Sequence, residues 1–139
     1  MTFLARLRGR VVQVLRPSKG GTGPKRWQRL ILIPGRAKRR TLVPVVGKSQ
    51  IGVEYKWKSG GATFRVRFHD PDPSIVPTPA VPHPNALKGW IVRVSRGKNY
   101  LDTSGRFHPR SKFKKGGPDF DEGIVNETHI PIVPPVAFP

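Results

Sequence analysis

The sequence has no cysteine, few acidic residues and no long apolar run. Without thiols, neither a disulfide framework nor a zinc site with thiolate ligands is possible. No apolar stretch approaches the length of a membrane-spanning helix, so we expect no membrane span. Residues 1–15 carry arginines throughout and lack the apolar core and small-residue cleavage site of a secretory signal. If the protein leaves its cell, we therefore expect something else to carry it.

Basic residues dominate the charge, with 26 Lys and Arg against 8 Asp and Glu and a net charge of +18. Such a charge carries no information about the fold, but it predicts an anionic partner: nucleic acid, an anionic membrane surface or an acidic protein. Half of the 26 basic residues and none of the acidic ones lie in residues 1–49. This asymmetry predicts a basic arm or linker over residues 1–49 and a domain over residues 50–139.

Within the arm, apolar residues at near-helical spacing in residues 1–15 predict a short basic amphipathic helix or a disordered arm. Residues 27–33 are apolar enough to form a strand that Pro34 stops. The 16 prolines and 15 glycines of the chain predict short strands, turns and long loops elsewhere.

The clearest pattern of the second segment is the alternation over residues 63–69, Thr-Phe-Arg-Val-Arg-Phe-His. In a strand, the phenylalanines and the valine face one side, and Arg65, Arg67 and His69 face the other. The prolines that follow cannot continue a central strand, because proline has no N–H to donate. His69 is therefore expected at a strand end, in line with two cations and beside an acidic turn.

Three further strands are predicted around this one. Residues 52–58 alternate in the same way, and the Ser-Gly-Gly that follows predicts a hairpin with residues 62–69. Residues 90–94 and 128–133 are the other two predicted strands, with residues 98–101 as a continuation beyond Gly97. The segment 71–84 contains six prolines and is expected to be a stiff surface loop.

Two imidazoles and several cations form a set that can cleave RNA through its 2′-hydroxyl without a metal. The reaction needs a base for the hydroxyl, an acid for the leaving oxygen and positive charge for the phosphorus centre. Of the four histidines, His69 and His129 are expected at strand edges with polar neighbours, whereas His83 and His108 fall in loops. A single histidine is more often structural than catalytic, so the pair carries this prediction.

A divalent metal is an alternative for the same residues. His69, Asp70 and Asp72, with a distant Asp121 or His129, are ligand types that can hold such an ion. Their spacing matches no specific metal motif. A tight turn with side-chain caps explains the Asp-Pro-Asp-Pro stretch better, so we predict neither a metal nor another cofactor.

The order of four motifs from Gly52 onward resembles a known family: GVEYKWK, FRVRFHDPDPS, GWIVRVSRGKNYLD and NETHIPI. These motifs are similar to the C-terminal domains of bacterial polymorphic toxins called polymorphic toxin type 30. That group is regarded as ribonuclease toxins of the barnase–EndoU–colicin–RelE-like fold. The resemblance covers roughly the last 85–90 residues and leaves out the first 49.

The resemblance implies an α+β fold, a small twisted antiparallel β-sheet with one or two short helices and long Pro/Gly-rich loops. A helix is then expected within residues 1–15 or 119–127. The implied activity is metal-independent endoribonuclease cleavage. The implied catalytic residues are His69, His129, Arg93 and Thr128, with either histidine as base. The implied substrate-binding residues are Lys98, Tyr100 and Asp70, to which the strand pattern adds Arg65 and Arg67.

The same resemblance implies a biological setting. The chain would be exported as part of a larger carrier and would act on RNA (tRNA, rRNA or mRNA) in the cytoplasm of a target cell during interbacterial competition. We expect a monomer that an acidic cognate immunity protein neutralises, since complementary charge speeds association.

Two other function classes remain open from the sequence. A non-catalytic RNA-binding protein would use the arginine-rich arm and would tolerate loss of His69 and His129. A toxin of the ADP-ribosyltransferase type would use Arg, Ser/Thr and Glu around a small sheet, and Glu127 is the residue that keeps this class open.

Overall fold

The protein is described by a computed structural model that covers residues 10–16 and 26–132. Its strands are β1 Arg10–Arg16, β2 Arg26–Ile33, β3 Lys38–Thr41, β4 Gly52–Ser59, β5 Ala62–His69, β6 Ile91–Arg96, β7 Asn99–Leu101, β8 Phe107–His108 and β9 Ile130–Pro131. The helices are α1 Asn85–Lys88 and α2 Glu122–Glu127, with a 3-10 turn over Arg110–Phe113.

Strands β3 to β9 form one antiparallel sheet, and β1 pairs with β2 in a separate ribbon. The order in the sheet is β3-β4-β5-β6-β7-β8, and β9 pairs with β6. This seven-stranded sheet with two short helices confirms the predicted α+β class. No helix in residues 10–16 or 26–132 has the length and apolar character of a membrane span.

The predicted hairpin of residues 52–58 and 62–69 is confirmed by β4 and β5. Gly60 and Gly61 form its turn with φ of 58° and 77°, a left-handed backbone that residues with a side chain rarely adopt. At the other end, Gly52 lies opposite His69, and a Cβ there would meet the Phe68 carbonyl oxygen at 2.7 Å. Only glycine therefore permits this pairing beside His69.

Alternation along the central strands puts the core on one face of the sheet. The core side chains share that face or its edges and are buried: Ile33, Val53, Tyr55, Val66, Phe68, Val92, Val94, Leu101, Ile130 and Ile132. Tyr55 and Phe68 make an edge-to-face ring contact within it. The opposite face is left to the polar members of the same strands.

The return of the chain to β9 brings distant segments to one end of the sheet. Ile91 of β6 pairs with His69 of β5, and on its other side it pairs with Pro131 of β9. β9 follows α2 with only Thr128 and His129 between them. The topology therefore places His129 beside the strand end that carries His69.

The structure corrects several predicted elements. Residues 10–16 form a strand and not a helix, because they pair with β2, whereas a helix within 119–127 is confirmed by α2. Residues 99–101 turn back after Gly97 to form β7, and the last strand is only Ile130–Pro131. Residues 1–9, the loop 17–24 and the proline-rich tail lie outside the described residues.

The boundary at residues 49 and 50 stays a prediction. Two observations bear on it: β3 pairs with β4 in the main sheet, and Ile33 is buried in the core. The charge asymmetry that suggested the boundary therefore does not coincide with a break in the sheet.

Candidate functional site: a cationic groove and two histidines

The polar face of the central strands forms a groove lined mainly by cations. Cross-strand pairing aligns Glu54, Arg67 and Arg93 in one row and Lys56, Arg65 and Ser95 in the next. We call this surface the cationic groove; its volume is about 400 Å³, and its lining residues are Glu54, Lys56, Lys58, Thr63, Arg65, Arg67, Arg93, Ser95, Gly97 and Tyr100. Such a surface attracts an anionic, extended ligand.

Glu54 is the carboxylate among these lining residues, and it is almost fully buried. It accepts a hydrogen bond from Arg40 Nε and pairs with Arg67 Nη2 at 3.5 Å. Burial alone would raise the pKa of Glu54, but the Arg40 bond and the charges of Arg67, Arg40 and Arg65 lower it overall. Glu54 therefore stays ionised and orients the arginines beside it.

Arg93 lines the groove, and no carboxylate within residues 10–16 or 26–132 pairs with it. Its Nε is buried and makes no hydrogen bond to this part of the chain, and its guanidinium lies 4.3 Å from the centre of the Tyr100 ring. Burial lowers the pKa of Arg93, the charge of Arg67 lowers it further, and Tyr100 opposes the change. A bound phosphate would offset the repulsion between the guanidinium groups of Arg67 and Arg93.

His129 is a neutral imidazole near this guanidinium. Burial, the charge of Arg93 and the charge of His69 lower its pKa to about 4, against opposing effects of the Val125 hydrogen bond and Asp72. Its Nδ1 lies 2.8 Å from the Val125 carbonyl oxygen, which can only accept, so Nδ1 carries the proton. The lone pair is then on Nε2, where it can take a proton from a substrate.

His69 is held by the same kind of contact. Its Nδ1 lies 2.7 Å from the Asp70 carbonyl oxygen and 2.9 Å from Ser49 Oγ, which itself donates to that carbonyl. The carbonyl again assigns the proton to Nδ1, so Nε2 is the ring nitrogen that this contact does not use. The structure thus brings together two imidazoles and two arginines that the sequence singled out.

Three predicted site residues have other contacts. Thr128 is fully buried and its hydroxyl donates to the Val125 carbonyl oxygen at 2.7 Å, so its donor is not directed at a ligand. The Asp70 carboxylate accepts from the backbone N–H groups of Gln50 and Ile51, which fixes the loop before β4. Lys98 is exposed in the β6–β7 turn and does not line the groove.

The other two histidines are separate from this pair. His108 Nε2 lies 2.6 Å from Asp102 Oδ2, and both side chains are largely buried. Burial would raise the pKa of Asp102, but hydrogen bonds from His108, Arg106 and Ser104 lower it strongly. These hydrogen bonds close the turn between β7 and β8, so the His108–Asp102 pair has a structural role. His83 is exposed.

The metal alternative receives no support from the described part of the chain. Among residues 10–16 and 26–132, no group of three or more His, Asp or Glu side chains is placed to hold an ion. Asp70 and Asp72 instead cap backbone N–H groups, as a tight turn requires.

Sequence reasoning missed residues both of the groove and of a cavity next to it. Glu54 could have been found from its alternation with Lys56, which puts both on the polar face of β4. Arg110, Phe113 and Lys114 lie in a basic stretch without a strand or helix pattern, yet they line a cavity that shares Arg93 and Tyr100 with the groove. An aromatic residue between two lysines was the available signal.

Comparison with known proteins agrees with the motif order noted above, although the match begins earlier in the chain. No curated protein and no solved structure matches the chain. The model of the family described as bacterial toxin 30 matches residues 28–133, which include every lining residue of the groove as well as His69 and His129. The resemblance that was expected to begin near Gly52 therefore extends through β2 and β3. Since this match covers most of the sequence, the chain belongs to the bacterial toxin 30 family.

Proposed function

We propose that this toxin domain is an endoribonuclease that cleaves RNA through its 2′-hydroxyl without a metal cofactor. The observation that carries the proposal is the neutral His129 near His69 and near Arg93, which lines the cationic groove. These groups supply a base, a second imidazole and positive charge, which are what this reaction needs. Membership in a bacterial toxin family agrees with an activity that harms a cell.

His129 is the base in this proposal. With a pKa of about 4, His129 is a neutral imidazole at neutral pH. It can therefore accept a proton as a general base, whereas a general acid would have to be protonated. Its Nε2 takes the proton of the 2′-hydroxyl while that oxygen attacks phosphorus. The Val125 carbonyl oxygen, bound to Nδ1, keeps the ring in the required tautomer.

His69 completes the proton balance as the acid. For this role His69 starts the reaction as an imidazolium, with a proton on each ring nitrogen, and its Nε2 gives a proton to the 5′ oxygen while the bond from that oxygen to phosphorus breaks. The products are a 2′,3′-cyclic phosphate and a 5′-hydroxyl. The contacts of Nδ1 with Asp70 and Ser49 orient the ring for this transfer.

Arg93 and Arg67 stabilise the charge that develops on the phosphate oxygens. Both lie in one cross-strand row, and Glu54 orients Arg67 from the next strand. Fixed donors aimed at developing charge are commonly the largest contribution to such a reaction. Arg65 and Lys56, in the neighbouring row, would hold the adjoining RNA backbone.

The proposal extends to the biological setting. The domain would reach the cytoplasm of a competing bacterium as part of a larger carrier and cut RNA there. An acidic immunity protein would cover the groove in the producing cell, because opposite charge accelerates the encounter.

The test is incubation of the purified protein with total bacterial RNA in excess EDTA. Wild type should release fragments ending in 2′,3′-cyclic phosphate. His129→Ala and His69→Ala should each slow cleavage by about 10²–10⁴-fold, the usual contribution of a general acid or base. His83→Ala is the matched control, because His83 is exposed in a proline-rich loop and should leave the rate unchanged.

Other outcomes distinguish the alternatives. RNA that stays intact in EDTA and with added magnesium would contradict nuclease activity. Tight binding without cleavage would point to a non-catalytic RNA-binding protein, for which the cationic groove alone suffices.

A further inference from the structure

A second cavity opens beside the cationic groove and shares two of its residues. We call it the aromatic annex; it has a volume of about 600 Å³ and is lined by Arg93, Tyr100, Arg110, Ser111, Phe113 and Lys114. Because Arg93 and Tyr100 line both cavities, the annex continues the groove past the centre of the candidate site. Its volume is within the range of small-molecule binding sites.

Two aromatic rings and an arginine form one wall of the annex. The rings of Tyr100 and Phe113 are 4.8 Å apart and tilted by 51°, and the Arg93 guanidinium lies 4.3 Å from the first and 5.9 Å from the second. Phe113 is only half-buried and belongs to no core cluster of the described residues. An accessible ring next to a guanidinium is a surface on which an unpaired nucleobase stacks.

Exposed cations lie at the other side of the annex. Arg110 and Lys114 flank Phe113 at the two ends of the 3-10 turn, and both are exposed. The turn is attached to the start of α2, because the Asp121 N–H donates to the Lys112 carbonyl oxygen at 3.0 Å. The cations are therefore held on a fixed backbone at the rim of the cavity.

We propose that the aromatic annex is a nucleotide subsite that binds a base on Phe113 and its adjoining phosphate with Arg110 and Lys114. The proposal rests on the ribonuclease function proposed above and names its substrate as single-stranded RNA. In a duplex the bases are paired and stacked on one another, so none can reach the ring of Phe113. The groove and annex together hold at least two consecutive nucleotides.

The test measures binding separately from cleavage. The probe is a fluorescein-labelled hexanucleotide of 2′-O-methyl RNA, which cannot be cut through its 2′-hydroxyl, followed by fluorescence anisotropy on the full chain. Phe113→Ala should weaken binding about tenfold, as expected for loss of one stacked base. Phe113→Leu, which keeps the apolar volume, should weaken it by a similar factor, so a folding defect cannot account for the result.

The salt dependence tests the phosphate contact. Replacing Arg110 and Lys114 together by glutamine should reduce the slope of log affinity against log salt by about 0.7, since the two side chains neutralise one phosphate and each neutralised phosphate of a single strand contributes about 0.7. Arg39→Gln is the matched control: Arg39 is exposed on β3 opposite Tyr55, on the other face of the sheet. A duplex of the same sequence should compete at least tenfold more weakly than the single strand.

The outcomes separate this proposal from the nuclease activity. If the annex variants bind like wild type while Arg67→Gln binds more weakly, RNA does not enter the annex and the subsite is wrong, whether or not RNA is cleaved. If the annex variants bind weakly but wild type never cleaves unmodified RNA, the subsite stands and the ribonuclease function is wrong. Wild type that fails to bind the probe at low salt would overturn both.

Discussion

The two faces of the central sheet come from the same strands and have opposite character. On β5, Val66 and Phe68 are fully buried, whereas Arg67 between them is only half-buried and Arg65 before Val66 is exposed. On β6, Val92 is fully buried, while Arg93 faces the groove. One face supplies the hydrophobic stabilisation, and the other is free to carry residues chosen for their charge.

The groove face has an electrostatic cost that the core face lacks. Five Lys and Arg side chains line it, and Glu54 is the carboxylate among them. Repulsion between Arg67 and Arg93 contributes to the lowered pKa of Arg93. We infer that this face is organised around a ligand anion, because functional sites commonly accept a loss of stability that the rest of the fold offsets.

The largest expected effect would break the core face. Phe68→Ala should reduce the free energy of unfolding by about 3–5 kcal/mol, through lost burial and the remaining cavity. Arg65→Gln, three residues away on the opposite face, should change it by less than about 0.5 kcal/mol. Urea denaturation of both variants checks the pair. If both variants lost a similar free energy of unfolding, the groove face would contribute to stability as much as the core face, which would contradict this comparison.

The second effect concerns the buried imidazole. The pKa of His129 is about 4 when folded, against about 6.5 for a free histidine, so the unfolded chain binds more protons between these values. The contribution of His129 to the free energy of unfolding should therefore be complete above about pH 6.5. It should be lost as the pH drops toward 4, and the free energy of unfolding should fall by up to about 3 kcal/mol. Denaturant titrations across this range should show a shallower fall for His129→Gln. If the free energy of unfolding of wild type and of His129→Gln showed the same dependence on pH, the burial of a neutral His129 would be contradicted.

The third effect tests the carboxylate of the groove. Glu54→Gln should destabilise the fold by about 1–2 kcal/mol, because the ionised Glu54 partners Arg40 and Arg67 while Arg40 remains largely exposed. RNA cleavage should fall as well if Glu54 orients Arg67. The control is Glu127→Gln, which loses only an exposed contact with Thr103. Unchanged stability and rate in Glu54→Gln would remove Glu54 from both roles.

The smallest expected effect concerns the turn of the β4–β5 hairpin, which belongs to neither face of the sheet. Gly61→Ala should reduce stability by about 1 kcal/mol, because its φ of 77° is strained for a residue with a side chain. Gly89→Ala is the control, since Gly89 has an extended backbone and open space around it. Thermal melting measures both variants. A loss of cleavage in Gly61→Ala beyond its loss of stability would mean that the hairpin turn also affects the groove.

Local patterns predicted much of the sheet and part of the site. Period-two alternation identified β4 and β5, the Gly-Gly turn identified their hairpin, and the same alternation put Arg65 and Arg67 on one face. Residues 10–16 were misjudged, because valines and leucines between arginines fit a short helix as well as a strand. These residues form a strand because they pair with β2, and this pairing is a long-range contact that the local pattern does not contain.

Other parts of the site depend on contacts that no local pattern contains. Thr128 looked available for a phosphate, but the end of α2 buries it and uses its donor. Phe113 lies between two lysines in a stretch without a strand or helix pattern, and only the folded turn places it against Tyr100. In both cases the accessible surface of the residue depends on elements distant in sequence.

The sequence by itself determined the charge, the absence of thiols and the two-faced strands, because these follow from composition and from the geometry of an extended chain. Only the tertiary structure decided that His129 lies beside Arg93 and His69, since β9 must first pair with β6. It also decided the protonation of His129, whose pKa reflects burial and neighbouring charge. Both are properties of the assembled sheet, in which residues about sixty positions apart become neighbours.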